Sequence, residues 1–439
     1  MELFDKYTAV LDRTDPIKHV GVVRKVTGIL IESVGPSAVL GELCQIHIPR
    51  SEEPVWAEVV GFHDNRVQLM PYDAVEHLEP GCLVTAMGEP LMIPVSDDLK
   101  GRVLGSMGRP IDGRGIVGAA DWYPVQNTPP DVLSRQRIDR RITTGIRSLD
   151  ALCAVGKGQR LGIFSGSGVG KSTLLGMIAR HTSADINVIA LIGERGREVR
   201  EFIENDLGEE GLARSIVIVS SSNTPPLARV RGAYVATAIA EYFRDRGNDV
   251  MLLFDSVTRF ARAQREIGLA TGEPPATRGF TPSVFSTLPK LLERCGTSDK
   301  GTITGFYSIL VEGDDMDEPI SDNVRGILDG HIVLSRKLAQ SYQYPAVDVL
   351  ASLSRLAKVI TGREEQAAAG HIRRLLAAYY DAEDLINVGA YAAGSNPVID
   401  EAVGKIDDIR AFLRQDIEER AQLDETIRRA KELAGMEEG

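Results

Sequence analysis

A glycine-rich octet, Ser165-Gly166-Ser167-Gly168-Val169-Gly170-Lys171-Ser172, carries the strongest chemical signal in the sequence. It follows an apolar run, Leu161–Phe164, and opens a helical stretch from Thr173 to His181. Glycines there let backbone N–H groups turn inward toward phosphate oxygens, and the helix N-terminus adds positive potential. This is the strand, loop and helix context that a P-loop requires. Lys171 is placed to reach the β- and γ-phosphates of a nucleotide, and the Ser172 hydroxyl to ligate Mg²⁺. The pattern departs at one point. Its first glycine is replaced by Ser165, so that position cannot use a glycine-only backbone angle.

Two carboxylates follow apolar runs of strand type. Asp255 ends Val250–Phe254. At the C-terminal edge of a parallel sheet such a residue can orient a water on Mg²⁺, or it can cap the next helix. Glu194 follows Val188–Ile192, where a carboxylate could activate the water that attacks a γ-phosphate. It could equally join surface ion pairs within the dense run from Glu194 to Glu201. Arg355 could stabilise a phosphoryl-transfer transition state as an arginine finger, in its own site or in a neighbour's. Tyr344, before Pro345, could stack on an adenine ring or pack in the core.

These side chains need a scaffold. Residues 19–87 show short β-branched runs punctuated by Gly, Pro and Asp-Asn, the spacing of a small barrel. A Gly- and Pro-rich connector spans 88–145. From about 146 onward, strand runs (RLGIFSG, NVIALIG, SIVIVSS, VMLLFDS, TGFYSILVEG) alternate with helical stretches, which argues for a mostly parallel sheet covered on both faces. Beyond about 363 the chain reads as helical and Ala-rich, ending in an amphipathic helix around Ile406, Ile409, Leu413 and Ile417. The expected division is a leading helix and barrel over 1–88, a RecA-like α/β nucleotide-binding domain with its connector over 89–362, and a C-terminal helical domain over 363–439. Residues 1–12 place Leu3, Phe4, Tyr7, Val10 and Leu11 on one helical face, to pack on its own domain or to dock a partner or membrane surface.

Composition narrows the field. The 439 residues hold 50 Lys and Arg against 62 Asp and Glu, a net charge of -12. Bulk nucleic-acid binding is disfavoured, since phosphate neutralisation needs excess cations. The four cysteines, Cys44, Cys82, Cys153 and Cys295, form no CxxC pair, against a disulfide scaffold or zinc site and in keeping with a reducing cytoplasm. No signal peptide and no run of about 18 apolar residues is evident.

Taken together, these motifs resemble a known family. Pro345-Ala346-Val347-Asp348-Val349-Leu350-Ala351-Ser352-Leu353-Ser354 is similar to the signature of the rotary ATP synthase α/β superfamily. GERGREVREFIE (193–204), GEPPATRGFTPSVF (272–285) and EGDDMDEPISDNVRGILDGHIVLSR (312–336) resemble the flagellar and type III protein export ATPases. The likeness runs from the barrel to DLINVGAY (384–391), and IESVGP and IAEYFRDRG (239–247) look closest to the flagellar branch. The resemblance implies Mg²⁺-dependent ATP hydrolysis energising protein export, with a virulence-secretion ATPase as the alternative.

It also implies roles. Lys171 and Ser172 match the P-loop lysine and Mg²⁺ hydroxyl, and Ser165 to Thr173 the nucleotide cradle. Glu194 matches the water-activating glutamate, Arg195 an arginine near the γ-phosphate, and Asp255 the Walker B aspartate. Arg355 matches the finger given to the next subunit, and Tyr344 the adenine-stacking aromatic; a second aromatic wall would lie near Tyr380 or Tyr391. The implied assembly is a homohexamer in the cytoplasm, peripheral to the inner-membrane export apparatus. A coiled-coil stalk would meet loop 273–282, a dimeric negative regulator the N-terminus, and cargo–chaperone complexes and the export gate the C-terminal helices. An RNA-translocating hexamer shares the nucleotide core, but the charge balance and the lack of aromatics clustered with Lys and Arg in residues 19–87 weigh against it. A non-catalytic ring subunit would have no use for Glu194.

Overall fold

The computed structural model describes residues 20–49, 51, 53–311, 313 and 315–436. The helix expected over residues 1–12 lies outside them.

Six strands close a barrel in the order β1-β2-β5-β4-β3-β6: β1 (Val20–Thr27), β2 (Leu30–Val34), β3 (Glu42–His47), β4 (Val55–His63), β5 (Arg66–Pro71) and β6 (Leu83–Pro90). Alternate residues, among them Val23, Ile31, Ile46, Val59, Leu69 and Val84, point inward and fill it. The β4–β5 turn places Asp64 and Asn65 at φ 48° and 58°, the short polar residues that best tolerate left-handed backbone in a tight hairpin. Closure leaves the barrel without an open sheet edge.

The central domain is built on a sheet of eight strands in one path, with a ninth two-residue strand, Gly296–Thr297, paired antiparallel to the strand Thr302–Leu310. Along it run β7 (Val103–Leu104), β8 (Arg160–Ser165), β9 (Ile186–Ile192), β10 (Ser215–Ser220), β11 (Asp249–Asp255), β12 (Thr302–Leu310), β13 (Gly330–Leu334) and β14 (Val347–Ser354), in the spatial order β14-β13-β8-β12-β11-β9-β10-β7. The ladders from β13 to β7 are parallel, while β14 is antiparallel to β13. All seven residues of β9 are buried, as expected of a strand covered on both faces. Val188, Ala190 and Ile192 enter one core and Ile189 and Leu191 the other.

Helix α1 (Lys171–His181) packs on the second of these faces. Helices α2 (Pro226–Asp245), α3 (Val257–Ala270), α4 (Pro282–Leu292) and α5 (Pro319–Ile327) cover the first. The chain ends in α6 (Arg363–Asn387), α7 (Pro397–Leu413) and α8 (Leu423–Leu433), whose apolar faces join the α1 side of the core.

A buried polar clasp fixes the barrel to the sheet. Glu58 on β4 accepts from Tyr72 at 2.6 Å and from Arg231 Nε on α2 at 2.7 Å. Desolvation and the Glu58 charge push the Tyr72 hydroxyl well above its ordinary pKa. All four cysteines are buried and free. Among the described residues no helix is long and apolar enough to cross a membrane.

Candidate active site

Because the central strands run parallel, their C-terminal ends gather the loops that follow them at one edge of the sheet. Ser165 ends β8 in register with Leu310 and Leu334. It is the last strand residue and does not have positive φ, so a side chain is tolerated where the motif has glycine. The loop then turns through Gly168 and Gly170 at φ 76° and 92°, and α1 begins at Lys171. The positive φ, not space, calls for glycine at 170, since a Cβ there would stand 3.4 Å from the Tyr344 ring, an ordinary contact. That ring therefore lies against the end of the phosphate loop, 42% exposed. Val169 is buried and anchors the loop in the core. Thr173 is hydrogen-bonded to Asp206 rather than turned back toward the loop.

Lys171 Nζ reaches Asp255 Oδ1 at 2.5 Å and lies 3.8 Å from Glu194 Oε1. Asp255 is not the cap of the following helix: Ser256 is, its Oγ accepting from Arg259 N. The register Phe254↔Tyr307 sets Asp255 beside Ser308, whose hydroxyl donates to Asp255 Oδ1 at 2.6 Å. The donor set of a hydroxyl at the start of α1 and a buried carboxylate, with no cluster of three ligating side chains among the described residues, fits a Mg²⁺ ion that takes its other ligands from phosphate and water.

Glu194 leaves the surface run that surrounds it in sequence. It follows β9 and is 7% exposed. The run itself pairs at helical spacing, Arg195 with Glu198, Arg197 with Glu201 and Arg200 with Glu204, all open to solvent. Arg195, whose side chain is 74% exposed, is thus not gathered into the site within one chain. Burial and the Asp255 carboxylate push the Glu194 pKa up to about 7, while Lys171 and Arg259 pull it down. Glu194 Oε1 makes no well-directed hydrogen bond in the protein, but two cations face it, Arg259 Nε at 3.1 Å and Lys171 Nζ at 3.8 Å.

Sequence reasoning missed Arg259 and Ser308. Arg259 Nη1 donates to Gly193 O at 2.6 Å and Nη2 to Glu194 Oε2 at 3.1 Å. Gly193, at φ 73°, makes room for it, since a Cβ would fall 2.9 Å from the Arg259 side-chain carbons. The available signal was its place one helical turn beyond Asp255. Tyr380 and Tyr391, the expected second wall, have other partners. Lys337 lies over the Tyr380 ring, and the Tyr391 hydroxyl donates to Asp400. The segment after Leu413 comes to Tyr344 instead, with Gln415 N donating to Tyr344 O at 2.9 Å.

Arg355 stands apart. In the antiparallel pairing, Val347 sits opposite Leu334 at the P-loop edge and Ser354 opposite Gly330 at the far edge. Arg355 therefore leaves the sheet roughly 15 Å from the loop edge, counting about 3.3 Å per residue along β13. It is exposed there.

This architecture matches three family models: the ATP synthase alpha/beta beta-barrel domain over residues 23–88, the nucleotide-binding domain of the same family over 145–354, and the C-terminal domain of the type III secretion ATPase EscN over 361–432. A curated flagellum-specific ATP synthase from Treponema pallidum is 55% identical over 99% of this chain and 97% of its own length. The chain belongs to the type III export ATPases of the ATP synthase alpha/beta family. A type 3 secretion system ATPase from Xanthomonas euvesicatoria is 50% identical over 93% of both chains. The assembled ATPase EscN of enteropathogenic E. coli, in complex with its central stalk EscO, superposes with a TM-score of 0.88 at 42% identity, covering 94% of this chain and 100% of that one. This export ATPase is accordingly an ATP hydrolase, built as the sequence led one to expect: a barrel, a mostly parallel nucleotide-binding sheet and C-terminal helices.

Proposed function

We propose that this protein hydrolyses MgATP to drive flagellar protein export, at sites completed between copies in a homohexameric ring. One observation carries the ring: Lys171 and Arg355 lie at opposite edges of one sheet, so no single chain brings loop and finger together. A head-to-tail interface supplies both to every site.

The chain's own residues divide the work. Nucleotide phosphates draw Lys171 away from Asp255 and are cradled by the backbone of residues 166–173, while Tyr344 supports the base. Ser172 and Asp255 would hold a Mg²⁺ ion, which when bound would neutralise phosphate charge. Glu194 accepts a proton from water as the water oxygen attacks the γ-phosphorus in line, and the bond to the β–γ bridging oxygen breaks. Arg259 holds Glu194 in place. The neighbour's Arg355 and, on closure, Arg195 meet the charge on the transferring group.

The flagellar assignment is supported by the Treponema relative, and a genomic neighbourhood of motor and hook genes rather than effector genes tests it. The stalk-bound EscN supports a coiled-coil partner at loop 273–282. We further assign the N-terminus to a dimeric regulator, the C-terminal helices to cargo–chaperone complexes and the export gate, and the whole to the cytoplasmic side of the inner membrane. Specific activity should rise with protein concentration as rings form. Full turnover by a monomer, verified by light scattering, refutes the shared site.

A further inference from the structure

The strand that leads into Arg355, β14, is irregular. In its pairing with β13, Gly330 faces Ser354 and His331 faces Leu353, but Val333 faces Asp348. Residues 349–352 of β14 are therefore set against Ile332 alone, and they bulge out of the ladder. A bulge leaves backbone groups without ladder partners, and these must be satisfied elsewhere. Inside this one, Asp348 Oδ1 accepts from the N–H groups of Leu350 and Ala351, both at 3.0 Å, and Ser352 Oγ donates to Asp348 O at 2.6 Å.

The carbonyls at its two ends, Val349 O and Ser352 O, are taken by one side chain from another domain. Arg373, on α6, donates Nη1 to Val349 O, and both Nη1 and Nη2 approach Ser352 O at 3.3 Å. The same Nη2 donates to Leu152 O at 2.8 Å and lies 3.2 Å from Cys153 Sγ. Among the described residues, Arg373 thus spends its charge on carbonyls and a thiol. The fork ties three segments together: helix α6, the bulge and the end of the short helix Arg147–Leu152. Ser352 is three residues before Arg355, and the segment between is held by the ladder pairs of Leu353 and Ser354 with β13, by Ser354 Oγ donating to Ala154 O and accepting from Gln159 Nε2, by Arg355 N donating to Asp329 O, and by Arg355 Nη2 reaching Arg325 O at 3.5 Å.

We propose that Arg373 is a positioning residue that sets the direction of the Arg355 finger and makes the C-terminal helical domain part of the neighbouring subunit's active site. The inference rests on the finger reading of Arg355. Only a planar fork spans Val349, Ser352 and Leu152 at once, so lysine does not substitute. Displacement of a catalytic group by about 1 Å costs about 100-fold in rate, whereas nucleotide binding, governed by the far sheet edge, is untouched.

The test uses Arg373→Gln and Arg373→Lys in the full chain. Both should lower kcat about 10- to 100-fold with KM for MgATP within about twofold, at unchanged ring assembly. Each variant is then mixed with Lys171→Ala subunits, which lack a working phosphate loop but keep their fingers. Single-turnover hydrolysis is read at ATP below the ring concentration, so that cooperation between sites is not required. Random mixing at equal ratio pairs an intact loop with an intact finger at about a quarter of interfaces, and activity should recover toward that fraction. Arg355→Ala mixed with Lys171→Ala runs in parallel. Recovery there but not with either Arg373 variant overturns the role given to Arg373 alone. No recovery with Arg355→Ala overturns the finger itself. A raised KM with unchanged kcat in the Arg373 variants also overturns the proposal.

Discussion

Arg259→Gln probes the electrostatics of the site directly. The guanidinium lies 3.1 Å from the Glu194 carboxylate and is one of two cations holding its pKa down against burial and the Asp255 charge. Unit charges about 4 Å apart at an effective dielectric near 20 interact by about 4 kcal/mol. The Arg259 side chain is 26% exposed, and Lys171 remains in the variant, so roughly a third of that is retained, about 1.4 kcal/mol or one pKa unit. Removing the cation raises the Glu194 pKa from about 7 toward roughly 8.

A base must be ionised to work, so activity falls as pH drops through that pKa. The acid limb of log kcat/KM, which reports free enzyme, should move about one unit to higher pH. At pH 7 the ionised fraction falls from about a half to about a tenth, roughly fivefold, while the two profiles approach their plateaus near pH 9. Any loss from a direct phosphate contact lowers the plateau without moving the limb, and the titration of MgATP is common to both enzymes. The assay is steady-state phosphate release from pH 5.5 to 9.5 at saturating Mg²⁺. A limb that stays put, or moves to lower pH, refutes Glu194 as the titrating base.

Lys171→Ala and Glu194→Gln should each abolish turnover with the fold intact, but they differ in stability. The lysine variant strands Asp255 in the core and should lose about 2–4 kcal/mol in urea unfolding, whereas the glutamine variant relieves carboxylate repulsion and should lose none. Arg231→Met leaves Glu58 buried without its cation and should cost about 3–5 kcal/mol; adding Glu58→Met should restore most of it, read as a double-mutant cycle. Gly193→Ala places a Cβ against Arg259 at positive φ and should cost about 1–2 kcal/mol and lower kcat, measured by unfolding and turnover together.

The phosphate loop was legible because its chemistry is local: one strand end, one turn and one helix start hold every group. Asp255 and Glu194 were legible as carboxylates at strand ends, but the readings of Asp255 separated only when Ser256 proved to cap the next helix, and those of Glu194 only with burial. The helical pairing of Arg195, Arg197 and Arg200 begins one residue after Glu194, so Glu194 turns into the core and keeps only a hydrogen bond to Glu198 in the surface run. Ser308 could not be foreseen, since its bond to Asp255 depends on the register of two strands far apart in sequence. The location of Arg355 turned on the reversal of one edge strand, which composition does not announce. The aromatic wall expected near Tyr380 or Tyr391 rested on likeness in a region where helix register, not motif, decides the neighbours of Tyr344.

The single hydrogen-bonded slab that separates Lys171 from Arg355 has one more effect. A β-sheet resists shear within its plane, so a tilt imposed where a nucleotide is gripped reappears, reversed, at the opposite rim. In a closed circle of such chains each protomer acts as a rocker between two reaction chambers. In the proposed ring, occupancy of one chain's phosphate loop is thereby coupled to the placement of the Arg355 lent next door, and because that lending runs head to tail the coupling has a direction around the circle.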